Sequence, residues 1–281
     1  MPKINRQEYT DLSVLLEELC GIFVPREKSY LFENRLNMLM DELKCESFNQ
    51  FLKAIEQQKT TLLPRLIDLM TTNETSWFRD QSLWDCLAKK ILPVHLEELS
   101  TRKRLFLRYL CAGVSTGQEA YSLSILIHEL AKRMGLSAHL PKIQILGIDV
   151  DTTALSKARE GIYKLDSIKT NLQPLQVDTY FDKGPEGSWK IKTKFRRGVE
   201  FRTFNLMESL SELGTFDMIL CRNVIIYFRE RHKRSLVKKL CDQLVGNGLY
   251  ISGASEAVDR YTTDLDQVQV GEIFYYQLKP T

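Results

Sequence analysis

The 281-residue chain has few of the features that announce a chemistry at once. Its four histidines, His95, His128, His139 and His232, form no H-E-x-x-H pattern. Its six cysteines, Cys20, Cys45, Cys86, Cys111, Cys221 and Cys241, form no C-x-x-C pair, so zinc spacing is absent and no metal is expected. No Ser-His-Asp, Cys-His or paired-carboxylate set stands out, which leaves no obvious machinery for nucleophilic or acid–base catalysis. No run approaches the roughly 20 apolar residues of a membrane span, so no membrane insertion is expected. Neither sign of charge dominates. Lys and Arg number 39 against 36 Asp and Glu, a net charge of +3, and no dense basic tract interleaves with aromatics. A nucleic-acid partner is therefore not expected. The opening MPKINRQEYT is polar and does not read as a signal peptide. Most of the cysteines lie in apolar runs, where a free thiol behaves as a small hydrophobe, and a reducing, cytoplasmic setting is expected. No internal repeat, low-complexity tract or coiled-coil repeat is evident, and a monomer is expected.

What is there begins with helices. Residues 1–75 read as an all-helical domain. Leu12, Leu15, Leu16 and Leu19 form one apolar face closed by Gly21, and Pro25 is expected to open a long helix carrying Leu31, Leu36, Leu39 and Leu43. Phe48, Phe51, Leu52 and Ile55 suggest a third helix, and Leu62, Leu63, Leu66, Ile67 and Leu69 a fourth. Arg26, Lys28 and Arg35 form a basic face, but Glu27 and Glu33 dilute it, so the same residues also read as a plain solvated surface. Residues 76–104, entered through the polar-aromatic-charged stretch TTNETSWFRD, read as a connector.

From Leu105 onward strands and helices alternate, which implies a parallel sheet with helices on both faces. Strands are expected at Leu105–Cys111, Ile143–Ile148, Val199–Thr203, Phe216–Cys221 and Leu249–Ser252, with Val268–Leu278 as an edge hairpin broken at Gly271. Residues 105–281 form this α/β domain. Within it, about 171–198 is rich in Pro and Gly and contains the alternating SWKIKTKF, so it reads as a small β excursion.

Two turns carry chemistry. In LFLRYLCAGVSTGQEAY an apolar strand stops at Cys111, a loop of small residues follows, and a helix begins with Ala120, Leu123, Ile127 and Leu130 at helical spacing. Gly113 and Gly117 remove the Cβ where a ligand would approach the backbone at a helix start, which is where nucleotide-like cofactors sit in α/β folds. In KIQILGIDVD the strand ends at Asp149. An acid in that place can accept both hydroxyls of a ribose, or it can serve as a cap, although Asp151 is better placed for the capping role. The segment FDMILCRNVIIYF ends an apolar strand with Arg222 and Asn223 and then returns at once to apolar residues, which suits a wall that both fixes and shields a ligand.

Four stretches together resemble the CheR family of chemotaxis-receptor methyltransferases. Thr72-Asn73-Glu74-Thr75-Ser76-Trp77-Phe78-Arg79 is similar to T-N-x-T-x-F-F-R. Ser115-Thr116-Gly117-Gln118-Glu119-Ala120-Tyr121-Ser122-Leu123 is similar to S-T-G-E-E-P-Y-S-L. Asp149-Val150-Asp151, with Ala154-Leu155, Ala158 and Gly161-Ile162-Tyr163, is similar to D-I-D with A-L, A and G-x-Y. Cys221-Arg222-Asn223-Val224-Ile225-Ile226-Tyr227-Phe228 is similar to C-R-N-V-L-I-Y-F. The order is the family's, and the likeness covers nearly the whole chain. It departs from the pattern at Gln118, Ala120, Trp77 and Val114, which bears on cofactor affinity rather than on the class of reaction.

The resemblance implies a class I S-adenosylmethionine-dependent methyltransferase domain with an inserted β-subdomain and an all-helical N-terminal domain. It implies methyl transfer from S-adenosyl-L-methionine to glutamate side chains of methyl-accepting chemotaxis receptors, leaving S-adenosyl-L-homocysteine. Carried over by position, Asn73, Thr75 and Arg79 would line the cofactor site from the interdomain segment. Glu119 and the Gly113 loop would hold the methionine end, and Asp149 the ribose. Asn205 and Leu206 would flank the adenine, Asn223 and Val224 would form the floor, and Arg79 and Tyr227 would lie beside the reacting methyl. Arg26, Lys28 and Arg35 would face the helical cytoplasmic domain of the receptor. In some members of the family the β-subdomain grips a receptor peptide. Two other readings stay open from the residues: a non-catalytic adaptor that binds the cofactor or its product, and a nicotinamide-dependent oxidoreductase, against which the missing third glycine counts.

Overall fold

The computed structural model describes residues 2–280. Its first part is helical because each segment carries an apolar stripe and a stop. Helix α1 (Arg6–Cys20) starts in a capping box, in which Asn5 accepts from the Glu8 backbone and Glu8 accepts from the Asn5 backbone, and it ends at Gly21. Glu8 also accepts from the Asn49 amide, which joins α1 to the start of α3 (Phe48–Gln57). Helices α2 (Tyr30–Glu42) and α4 (Lys59–Met70) complete the layer around Leu12, Leu16, Phe32, Leu36, Phe51 and Leu66, all fully buried. Pro25 does not open α2. It is extended and precedes a single 3-10 turn, Arg26–Lys28, and the α-helix begins at Tyr30.

The segment expected as a connector is helical along most of its length. Helix α5 (Gln81–Cys86), a π-type turn at Leu87–Ile91 and α6 (Leu92–Ser100) bury Leu83, Trp84, Leu87, Ile91, Leu96 and Leu99 in the same core as Leu107 and Tyr109 of the first strand. These residues recur at helical intervals on a face that the sheet covers, so the segment packs as a layer of the sheet domain.

The main sheet has seven strands. In chain order these are β1 (Leu107–Ala112), β2 (Ile143–Asp149), β6 (Val199–Thr203), β7 (Phe216–Cys221), β8 (Leu244–Ser252), β9 (Leu265–Val270) and β10 (Ile273–Leu278). Their spatial order is β6-β2-β1-β7-β8-β10-β9. Pairings among the first five are parallel, and β10 runs antiparallel to both of its neighbours. Helices α7 (Gln118–Arg133), α8 (Thr152–Glu160) and α12 (Glu230–Cys241) make the crossovers. The chain moves outward from β1 to β2 and β6, then returns to place β7 on the other side of β1. The switch point, and with it the cleft, therefore falls at the carboxyl ends of β1, β2 and β7. Register makes those ends level: Ala112 pairs with both Ile148 and Cys221. The first strand starts two residues later than expected, and Leu105 and Phe106 lie exposed ahead of it.

A second sheet, β3 (Ile162–Lys164), β4 (Phe181–Lys183) and β5 (Ser188–Ile191), is antiparallel in the order β3-β5-β4, with α9 (Leu165–Lys169), α10 (Pro174–Tyr180) and α11 (Thr193–Arg196) around it. It begins at Ile162, earlier than the Pro- and Gly-rich stretch suggested. The alternation in SWKIKTKF is strand only to Ile191; Thr193–Arg196 is a helical turn that buries Phe195. Trp77 packs edge-on against Tyr163 and Phe181 of this sheet and stacks on Tyr121. It is a core residue rather than part of the cleft.

Candidate functional site

The β1–α7 turn forms the first wall of the cleft. The Gly113 and Val114 amides both donate to the Ile148 carbonyl, at 2.9 and 3.0 Å, which locks the turn to the end of β2. Gly113 has φ of +71°, and a Cβ there would stand 2.4 Å from the Val224 side chain. Gly117 has φ of +93°, and its missing Cβ makes room for Ala158 and Phe201 rather than for a ligand. The two glycines thus divide: Gly113 borders the cleft, whereas Gly117 serves helix packing.

Asp149 is held from two sides by neutral donors. The Ser115 amide donates to its Oδ2 at 2.7 Å and the Asp151 amide to its Oδ1 at 3.0 Å. Burial pushes its carboxyl above the usual aspartate range, and these amides partly offset that effect. Asp151 is the cap, accepting from the Ala154 amide at the start of α8. Its other oxygen accepts from Thr71 Oγ1 and Asn73 Nδ2, both at 2.6 Å. Asn73 Oδ1 in turn accepts from Ser115 Oγ at 2.8 Å. The interdomain segment is thereby stitched to both βα turns, and Asn73 and Thr75 lie on the cleft wall.

Across the cleft, Glu119 in the first turn of α7 meets Arg222 at the end of β7, Nη1 donating to Oε2 at 2.8 Å. Burial raises the Glu119 carboxyl above its ordinary range, and the Arg222 and Arg79 cations oppose the rise. Arg79 is half-buried and, among the described residues, donates only to the Glu74 carbonyl, at 3.1 Å, which leaves most of its guanidinium donors unused. Asn223 has φ of +59°, unusual for a residue with a side chain, and the turn it starts is held by Glu256. That carboxylate, 4% exposed, accepts from the amides of Asn223, Val224, Ile226 and Gly253 at 2.6 to 3.3 Å. Tyr227 follows in the same turn, half-buried at the cleft edge, and its carbonyl accepts from the Phe23 amide of the helical domain.

Asn205 and Leu206 also border the cleft. The Asn205 side chain is committed on both ends, Nδ2 to the Leu19 carbonyl and Oδ1 from the Met207 amide, so it fastens the helical domain to the sheet domain. The basic trio does not act as one face. Arg26 and Lys28 are exposed on the 3-10 turn, whereas Arg35 donates to the Met70 and Thr71 carbonyls and to Thr72 Oγ1. Arg35 is a clasp on the interdomain segment, because α2 packs beside α4 and its guanidinium can satisfy the last carbonyls of that helix. Asp68 adds a second fastening, accepting from Thr152 and Thr153 at the start of α8. Glu17 adds a third, facing Arg229, Arg231 and His232 at the start of α12.

Arg222 was expected on the cleft wall but was given no role in holding the cofactor, and Asp80 and Glu256 were not among the expected site residues. Arg222 had a signal, a charge at the end of a wholly apolar strand. Glu256 had none: it lies in a loop between Ser255 and Ala257, and its role depends on a turn more than 30 residues away. Cys20 lines the cleft, but burial pushes its thiol up to about 11, so it is no nucleophile near neutrality.

Comparison with known proteins gives the family. Residues 73–274 match the CheR methyltransferase SAM-binding domain, and residues 7–71 match the CheR methyltransferase all-alpha domain. Chemotaxis protein methyltransferase 1 of Pseudomonas aeruginosa is 37% identical over 95% of this chain and 96% of its own length. Chemotaxis protein methyltransferase 1 of Vibrio cholerae is 36% identical over 98% of both chains. Among solved structures, a TehB-like SAM-dependent methyltransferase from Corynebacterium glutamicum aligns over 72% of this chain and 96% of its own, at 14% identity and a TM-score of 0.37. The cleft fits S-adenosylmethionine on its own chemistry. A carboxylate pairs with an ammonium or accepts from the hydroxyls of a ribose, and two carboxylates, Glu119 and Asp149, line the cleft. Each keeps lone pairs beyond those its present donors use. Arg222 Nε is buried and makes no hydrogen bond among the described residues, a donor without a protein partner in a residue that lines the cleft.

Proposed function

The chain belongs to the CheR methyltransferase family, and from that premise we propose that it esterifies glutamate side chains of methyl-accepting chemotaxis receptors. The observation that carries this reading is the meeting, at one switch-point cleft, of two half-buried carboxylates, a half-free arginine and a tyrosine, with no acid–base pair among them. S-adenosylmethionine, when bound, supplies a methyl group on a sulfonium sulfur, whose leaving group departs as a neutral thioether. A substrate glutamate, with a pKa near ~4.3, is already ionised at neutral pH and needs no base. The chain's task is then to orient the partners and exclude water.

In this reading Glu119 holds the ammonium of the methionine end and Asp149 the ribose. Asn205 and Leu206 flank the adenine, and Asn223 and Val224 shape the floor. Arg79 points its unused donors at the incoming carboxylate, and Tyr227 closes the reacting end. Of the four departures from the family pattern, Gln118, Ala120 and Trp77 are buried away from the cleft lining and only Val114 borders it, so the cofactor meets a single changed side chain. The receptor's acidic helix is read as meeting Arg26 and Lys28.

The test is transfer of label from methyl-labelled S-adenosylmethionine to cytoplasmic receptor fragments, with release as methanol in base. Base-labile label on the receptor is the expected result. Bound cofactor without transfer to any receptor would put the adaptor reading in its place. Reversing the charge of Arg26 and Lys28 together is expected to raise the KM for receptor several-fold and leave S-adenosylhomocysteine binding unchanged.

A further inference from the structure

Arg222 follows a strand whose every residue is buried, and its side chain is itself only 2% exposed. A guanidinium in such a place needs partners, and these come from two distant segments. Nη1 donates to Glu119 on α7; Nη2 donates to Asp80 Oδ2 at 2.5 Å and to the Arg79 carbonyl at 3.0 Å. Burial works against the cation, and the two carboxylates outweigh it, so the charge persists at every working pH. The Arg79–Asp80 turn needs this support. Phe78 and Asp80 both lie in the left-handed region, φ +46° and +64°, and neither is glycine. Arg79 stands between them, so whatever fixes these two residues fixes where its side chain leaves the backbone.

We propose that Arg222 is a positioning residue of the methyl-donor site: its guanidinium supplies the countercharge of Glu119 and ties the Arg79–Asp80 turn to the same strand end. This rests on the reading of Glu119 as the holder of the cofactor's ammonium. A planar fork serves both carboxylates and a carbonyl at once, which the single ammonium of lysine does not.

The groups facing Glu119 make the charge balance explicit. Arg222 and Arg79 favour its anion, and Glu256, beyond β8, disfavours it. Cys111 of β1 and Cys221 of β7 are neighbouring thiols that burial keeps neutral. Asp80 competes for the same guanidinium. Removing the Arg222 charge leaves burial and Glu256 acting against Arg79 alone, and Glu119 must then protonate at a higher pH.

The experiment compares Arg222→Gln and Arg222→Lys with the wild type in the full chain. The Glu119 carboxyl is titrated by carbon-13 NMR without cofactor, and S-adenosylhomocysteine binding is followed by calorimetry across pH. In R222Q the Glu119 titration is expected to move up. Affinity should approach the wild-type value in alkali and fall about tenfold per pH unit below the new midpoint, the slope of one linked proton. In the double variant with Glu119→Gln that shifted dependence should vanish. R222K is expected to move the titration less and to lose kcat on receptor more than product affinity, because the Arg79 tie is gone.

An unmoved Glu119 titration in R222Q, or a loss of affinity equal at all pH in a cooperatively folded protein, overturns the proposal. Should R222Q not fold, R222K decides: an unmoved titration with unchanged kcat rejects it. Wild-type product binding by E119Q would sink the cofactor reading instead, and the NMR titration would still judge the coupling of Arg222 to Glu119.

Discussion

Glu119 at the start of α7 and Asp149 at the end of β2 are both half-buried on the cleft wall, and they are secured by opposite means. Asp149 is oriented by backbone amides, which are neutral and cannot move without unmaking the turn. Glu119 is secured by a cation that belongs to another strand and is shared with Asp80. A carboxylate held by backbone amides is as rigid as the fold. One held by a shared arginine is coupled to whatever else that arginine holds. In the proposed reading the first arrangement serves a ribose hydroxyl pair that needs a fixed acceptor, and the second a charged group close to the reacting end.

The largest effect that would break this contrast is expected from Asp149→Ala. It leaves the Ser115 and Asp151 amides without their acceptor, at about 1–3 kcal/mol each where burial is retained. Thermal unfolding should fall by several degrees, and S-adenosylhomocysteine binding should become undetectable by calorimetry. A variant as stable as the wild type would show that water replaces the acceptor and that the turn is not held by it.

Next is Glu256→Gln, which places an amide group against four N–H donors. About 1–3 kcal/mol of stability should be lost, and kcat on receptor should drop more than KM changes, because the displaced turn carries Tyr227. A pure KM effect would argue that the turn contributes to binding alone.

Glu119→Gln is expected to weaken product binding by about ten- to a hundredfold, or roughly 1.4–2.8 kcal/mol, and to lower stability as well, because Arg222 loses one of its two countercharges. The same variant sharpens the pH comparison. Burial raises both carboxyls in the folded protein. A carboxyl so raised binds its proton more tightly folded than unfolded. Its contribution to stability is therefore greatest in acid, and it declines as pH rises from the unfolded value through the folded one. Cofactor affinity runs the other way, since the anion is what binds, and it should fall as pH drops through a window above the ordinary carboxylate range. In E119Q the acid limb that remains belongs to Asp149. An acid limb identical to the wild type's would mean that Glu119 does not titrate there.

The smallest effect is expected at the basic turn. Arg35→Ala should lower the thermal midpoint by a few degrees through loss of its carbonyl contacts, whereas Arg26→Ala should leave it unchanged. Equal unfolding midpoints for the two would return Arg35 to the surface face from which it was separated.

Several elements were legible because one local signal sufficed. The strand at Phe216–Cys221 falls where its apolar run begins and ends, the one at Val199–Thr203 where Val and Phe alternate with polar residues, and Gly21 and Gly161 stop the helices they follow. Asp151 caps α8 as its place before Thr152 suggested. Other features needed the rest of the molecule. The helices of 81–100 were masked by a polar preface. The strand pattern of SWKIKTKF gives way at Thr193 because Phe195 is drawn inward against Tyr180 and His128. Arg26, Lys28 and Arg35 share a short stretch of sequence, yet only Arg35 reaches the end of α4.

The sequence by itself determined the strands of the main sheet, the four helices before them, the family and most of the residues that border the cleft, since apolar period, glycine turns and short motifs are local and act on their own neighbours. Only the tertiary structure decided which charges meet. Glu119 and Arg222 lie 103 residues apart, and Asp80 and Arg222 are 142 apart. A charge held away from water interacts strongly with its partners, and the burial of the Arg222 guanidinium is a property of the packed sheet end, not of any stretch of sequence.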